Sequence, residues 1–168
     1  MNISMYQASL PGLIRSLSNL AAILAKADAH ATAKKIDPSV LINSRLSPDM
    51  LPLSKQVQIA SDIARRGVAR LAGQEAPSME DNETTFPELI ARLQKTIDYL
   101  QQFTPTQING SEEKEITLPV GKETMKFAGM SYLLYFILPN VYFHVTTAYG
   151  ILRHCGVELG KADFLGKP

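Results

Sequence analysis

Cysteine is almost missing from this chain: its 168 residues hold one, Cys155. That excludes an internal disulfide framework and suits a reducing compartment, so the expected location is cytoplasmic. An excess of charge of one sign is missing too. The net charge is +1 and no long basic run occurs, which removes the electrostatic case for nucleic acid. The opening Met-Asn-Ile-Ser-Met-Tyr-Gln has neither the basic start nor the continuous apolar run of a signal peptide. Residues 130–151 are apolar, but Pro139, Asn140 and His144 interrupt them, whereas a spanning helix needs about 20 mostly apolar residues. The expectation is a protein that engages neither membrane nor nucleic acid. There is no internal repeat, low-complexity tract, Ser-His-Asp spacing, glycine-rich phosphate loop or paired-carboxylate motif. Whether the chain catalyses anything is left open by these absences.

What is present is ordinary globular material, 45% apolar and 20% charged, enough for one domain over residues 1–168. Apolar residues recur at three- and four-residue steps from Ser4 to Lys26, with Pro11 placed to kink the second turn. Asp37-Pro38 reads as a cap and first helical residue of a short helix through Asn43. A second long helix runs from Pro52 to Gly73, with the stripe Leu53, Gln56, Ala60, Ile63, Ala64, Gly67, Leu71, whose small central residues admit a close neighbour. Residues 74–84 form a polar connection. Thr85 and Glu88 have capping-box spacing and open a third helix, lined by Phe86, Leu89, Ile90, Leu93, Ile97, Leu100 and Phe103. Residues 114–127 alternate enough for a small hairpin turning at Val120-Gly121, with Pro119 at a strand end. The last helix spans Ser131 to Cys155 and is kinked or divided by Pro139. The fold class is all-α, a four-helix bundle with a β-hairpin inserted before the last helix.

The most informative residue is His144. At about 100° per residue, Asn140, His144, Thr147 and Ile151 fall within roughly 60° of one another, on a stripe continued upstream by Leu133, Phe136 and Ile137. A polar cluster in an apolar face needs partners. With Gln56 it reads either as a pocket orienting a small ligand or as a hydrogen-bond network fixing helix register. Thr147 has a further partner within reach, the carbonyl of Phe143. His154 lies about 15 Å along the helix from His144 and points elsewhere. Asp62 reads as half of an exposed pair with Arg66, and Arg45 and Asp49 as braces of a loop. On the other side of the last helix, Tyr135, Tyr142 and Tyr149 recur every seven residues with Arg153 beside them. A helix apolar on two faces needs extra cover, either the C-terminal residues with Phe164 and Leu165, or a second copy in a homodimer.

Several segments resemble a bacterial family known as domain of unknown function 1993. They are Phe143-His144-Val-Thr-Thr147-Ala-Tyr149-Gly-Ile-Leu152-Arg153-His154-Cys-Gly156, Arg45-Leu46-Ser-Pro48-Asp49-Met50, Gln56-Val57-Gln58 and Arg70-Leu71-Ala72-Gly73. That family is similar in turn to the DinB/YfiT-like four-helix bundles. The resemblance implies dimerisation and, for many members of the larger group, a divalent metal such as zinc or nickel held by three histidines. One histidine comes from the second helix and two from a His-x-x-x-His pair in the fourth. Setting Leu152-Arg153 and Gly156 on the group's Leu-Arg-x-x-Gly places His144 at the second histidine of the pair and Asn140 at the first. The second-helix position falls between Gln56 and Ala60, where no histidine occurs. Two readings result. One is a dimeric module binding a small molecule around His144, Asn140, Gln56 and Thr147. The other, implied by the resemblance, is a metal-dependent enzyme with His144 as ligand, acting on a small, thiol-containing substrate.

Overall fold

A computed structural model describes residues 2–120 and 123–166. Four long helical segments form the body: α1 (Met5–Lys34), α3 (Leu53–Ala72), α4 (Phe86–Gln101) and α7 (Leu138–His154). Short helices sit at the corners: α2 (Pro38–Ile42), α5 (Pro105–Ile108), α6 (Gly129–Tyr132) and α8 (Lys161–Leu165). Helices α1 and α3 each pack against both α4 and α7, so α1 lies diagonally across the bundle from α3.

Capping chemistry sets the helix starts. Ser4 and Gln7 close a capping box on α1, with Oγ accepting from the Gln7 N–H at 3.3 Å and the Gln7 amide oxygen accepting from the Ser4 N–H at 3.1 Å. Thr85 and Glu88 do the same for α4, as their spacing predicts. The first helix runs past Lys26 to Lys34 because Ala27 and Ala31 prolong its buried stripe. It ends on Lys35 in the left-handed region, φ 55°. Pro11 lies on the exposed face and does not interrupt it. By length and composition α1 alone among the described helices is apolar enough to cross a membrane. Its Leu10, Leu13, Leu17, Leu20, Ile23 and Leu24 are instead buried in the bundle, each worth about 1.5–3 kcal/mol of transfer free energy.

The small residues of α3 work as expected. A Cβ added at Gly67 would stand 2.7 Å from Cδ1 of Ile137, so the two helices meet there at close range. Pro139 neither breaks nor sharply divides the last helix. Its ring cannot sit against the carbonyl four residues back, and the chain responds with a π-helical turn at Leu133–Ile137, where the Leu138 N–H reaches back five residues to the Leu133 carbonyl. The Asn140 side-chain amide donates to the Phe136 carbonyl at 2.7 Å and helps satisfy the opened turn.

Strands β1 (Glu115–Val120) and β2 (Glu123–Ala128) pair antiparallel, with Ile116 opposite Phe127 and Leu118 opposite Met125. Ile116 and Leu118 face inward while Thr117 and Pro119 face solvent, the alternation expected of a half-buried strand. Pro119 sits next to the strand end, where a missing donor costs least. Gly121 of the predicted turn lies outside the described residues. The hairpin docks through Phe127, whose ring centroid is 5.8 Å from Tyr132 and 5.9 Å from Phe136.

The polar connection between α3 and α4 is held by a charge network. Arg65 and Arg92 are both buried. Asp62 Oδ1 accepts from Nη2 of each at 2.7 Å, and its Oδ2 faces Arg66 at 3.2 Å. Arg65 also donates to the Pro77 carbonyl. Arg92 donates to the Glu80 carbonyl at 2.8 Å and pairs with Glu83 and Asp81. Asp62 is therefore not one end of an exposed surface pair. The Arg66 contact exists, but the carboxylate is only 24% exposed and serves three guanidiniums. Burial opposes the charge of Arg92, and the pairs with Glu83 and Asp62 outweigh it, raising its pKa. Removing one partner from such a network leaves buried charge uncompensated. Asp62→Ala is accordingly expected to cost about 3–5 kcal/mol in urea unfolding, where a surface pair loses under about 1 kcal/mol.

Candidate functional site

His144 projects from the middle of α7, next to the buried Val145 and one turn from the buried Val141 and Ala148. It is half-buried. Its Nδ1 lies 2.7 Å from Oε1 of Gln56, a buried residue in the first turn of α3. The amide nitrogen of Gln56 donates to the Leu51 carbonyl at 2.9 Å. That second bond orients the amide, so the oxygen turned toward the ring is an acceptor and Nδ1 must carry the proton. Nε2 of the neutral ring then holds a lone pair. Among the described residues it makes no hydrogen bond, and it is not one of the fully buried polar atoms left without a partner, so it keeps some contact with the surface. Phe143 sets its ring edge-on to the imidazole, with centroids 5.1 Å apart at 85°. Burial lowers the pKa of His144 below 6.5 and favours this neutral form.

Of the polar residues expected around His144, Gln56 of α3 meets it, while Asn140 and Thr147 of its own stripe do not. Asn140 binds the carbonyl of Phe136, and Thr147 binds that of Phe143 at 2.8 Å, the back-bond anticipated for it. Both hydrogen bonds stay within the helix that carries them. A shared helical face brought these side chains near one another, but local carbonyls offered partners at no cost in chain entropy. Arg45 and Asp49 brace their loop: Arg45 donates to the Met50 carbonyl, and Ser47 donates to Asp49 at 2.6 Å.

The tyrosine face divides. Tyr135 is 75% exposed and Tyr142 41%, with Leu134 and Phe143 exposed nearby. Tyr149 is half-buried, edge-on to Phe164 of α8 at 6.1 Å. Arg153 donates to the Val157 carbonyl at 3.0 Å. The C-terminal residues thus cover one end of the stripe and leave the other bare.

A transition metal needs three or more imidazole, carboxylate or thiolate donors converging on one point. Among the described residues no group of three or more His, Cys, Asp or Glu side chains comes together in that way. At His144 the nearest side-chain donor is the Gln56 amide, already turned toward the proton on Nδ1. The residues present do not fit the three-histidine centre implied by resemblance to the DinB/YfiT-like group.

The arrangement of α1, α3, α4 and α7 around one core, with a hairpin ahead of the last helix, defines a DinB-like helical bundle. A crystal structure of a DinB family member protein from Shewanella denitrificans is similar to this chain, with a TM-score of 0.92 and 44% identity over 97% of this chain and 92% of that one. The model of the family described as domain of unknown function DUF1993 matches residues 5–165. The chain belongs to that family. No curated protein matches it.

Replacing His144 by Leu strands the buried Oε1 of Gln56, and urea unfolding is expected to show a loss of about 1–3 kcal/mol; a gain would mean that the amide does not depend on the ring. The depressed pKa also sets a pH dependence. The unfolded chain binds the proton more readily, so this contribution is complete above about 6.5 and is lost as pH falls through the folded-state pKa. Stability measured across that window should show a step in the wild type that is missing from His144→Leu.

Proposed function

We propose that the protein is a cytoplasmic, homodimeric small-molecule-binding module, with His144 as the polar anchor of its ligand. The observation that carries this reading is the chain from the Leu51 carbonyl through Gln56 to His144 Nδ1. It holds the imidazole in one tautomer and presents Nε2 outward as an acceptor. The surroundings are apolar: the exposed Phe143 stands edge-on to the imidazole, and Leu46, also exposed, approaches Gly150 on the same helix. A fixed acceptor flanked by apolar groups suits a small molecule that offers one hydroxyl, thiol or amine hydrogen and an apolar body. Asn140 and Thr147 contribute to this site through the shape of the helix, because their polar atoms are engaged elsewhere. The dimer is supported by apolar surface left exposed along the last helix at Leu134, Tyr135 and Tyr142, which a second copy would cover. Cytoplasmic location rests on the single cysteine.

A thermal-shift screen of small alcohols, thiols and amines, run beside light scattering and elemental analysis on untagged protein, tests the proposal. It expects a dimer at micromolar concentration and at least one compound that stabilises the wild type but not His144→Ala. A monomer would overturn the dimer. Stabilisation that survives in His144→Ala would overturn the anchor. Stoichiometric zinc or nickel lost with His144→Ala would overturn the module in favour of a metal-dependent enzyme.

A further inference from the structure

A cavity lies away from His144. It is formed by the C-terminal half of α3, strand β1 and the π-helical turn, and has a volume of about 260 Å3. Gln56 and Arg66 are ten residues apart on α3, so this cavity and the His144 pair are separated by about 15 Å along the helix. Its walls are apolar on the hairpin and last-helix sides, where Leu118, Pro119, Tyr132 and Phe136 contribute. Tyr132 and Phe136 stack with ring centroids 5.3 Å apart at 21°, which gives one wall an aromatic face. On the α3 side stand Arg66 and Arg70, one turn apart. The same two arginines also line an adjoining depression with Gln74, Glu75, Ala76 and Ser78, so their guanidiniums stand on the divide between the two.

The charges here are unevenly matched. Asp62 is the carboxylate at the cavity wall, and its oxygens already serve Arg65, Arg92 and Arg66. The partner of Arg70 is the hydroxyl of Tyr132, which accepts from Nη1 at 3.3 Å. Among the described residues no carboxylate lies within ion-pair distance of Arg70, and Glu75 on the adjoining depression does not reach it. A guanidinium without a counter-ion, beside one that shares a saturated carboxylate, is a site for an anion with planar oxygens. Tyr132 is buried behind Phe136, so the surface that the opposite wall offers to a ring is the half-buried Phe136 with the exposed Pro119. The volume falls just under the range of roughly 300–1,000 Å3 for drug-sized ligands, so the ligand is small. The π-helical turn ahead of Pro139 carries Phe136 into the cavity wall.

The geometry points to this cavity as a binding site for a small aromatic carboxylate, its carboxylate held by Arg70 and Arg66 and its ring held against Phe136 and Pro119. The site stands independently of the His144 reading, because it shares no side chain with it.

Titration with phenylacetate, followed by proton–nitrogen correlation spectra, tests the inference. Phenylacetamide and acetate serve as probes of the two halves of the ligand. Phenylacetate at millimolar concentration is expected to shift Arg66, Arg70, Tyr132 and Phe136. Phenylacetamide and acetate should each bind about tenfold more weakly. Arg70→Gln, which retains a donor for Tyr132, should weaken phenylacetate by a similar factor. Pro119→Glu places a negative charge on the exposed strand beside the cavity and should weaken it without touching the bundle core; circular dichroism confirms that both variants fold. No shift at these residues, equal binding of phenylacetamide, or unchanged affinity in both variants would overturn the assignment.

Discussion

One carboxylate, that of Asp62, decides how the middle of this molecule closes. Residues 74–84 carry no regular secondary structure and few apolar side chains, so packing alone gives them little reason to lie in one place. Two arginines buried between the helices reach their carbonyls, and Asp62 makes that burial tolerable by binding both guanidiniums. Beside it, Ser61 and Thr96 hydrogen-bond across the α3–α4 seam at 2.8 Å. The network also explains the charge balance further along α3. Asp62 is occupied on three sides, and among the described residues the hydrogen-bond partner of Arg70, further down the helix, is the phenol of Tyr132.

The helical framework was largely legible in the sequence, because capping boxes and apolar spacing are local signals. Thr85 with Glu88, and Asp37 with Pro38, sit where those signals place them. The pairing of Gln56 with His144 was legible as well, since each is a polar residue on a stripe that must be buried. Asn140 and Thr147 were harder. A helical wheel gives direction but not the competition from a carboxamide's or hydroxyl's own backbone, and in both cases the backbone won. Arg65 and Arg92 were missed altogether. Yet Arg92 falls within the stripe Leu89, Leu93, Thr96, Ile97, where a charged residue has no business unless paired. Reading that stripe for its exceptions would have exposed it. The acidic partners lie in the connection, at distances along the chain that no periodicity reports.

Among the described residues the donors of the three-histidine centre implied by resemblance do not come together around His144. The second-helix position that resemblance assigns to a histidine falls between Gln56 and Ala60, and in this chain it is Gln56 that meets His144. An amide in place of an imidazole converts a possible ligand into a device for orienting its neighbour. Scaffold and site vary separately, and fold-level kinship fixes the first more firmly than the second.

The widened turn at Leu133–Ile137 has a consequence for how this helix is read from end to end. A turn closed five residues back holds one residue more than its neighbours, which shifts the angular phase of everything downstream by about 100°. Residues on either side of it therefore belong to two different helical wheels. Tyr135, Tyr142 and Tyr149 look like one seam on a regular spiral, but the seam is dislocated between its first two members. Deleting a single residue there would rotate the hairpin-bearing end against the rest of α7, and Tyr132, with Phe127 packed on it, would turn away from Arg70 of α3.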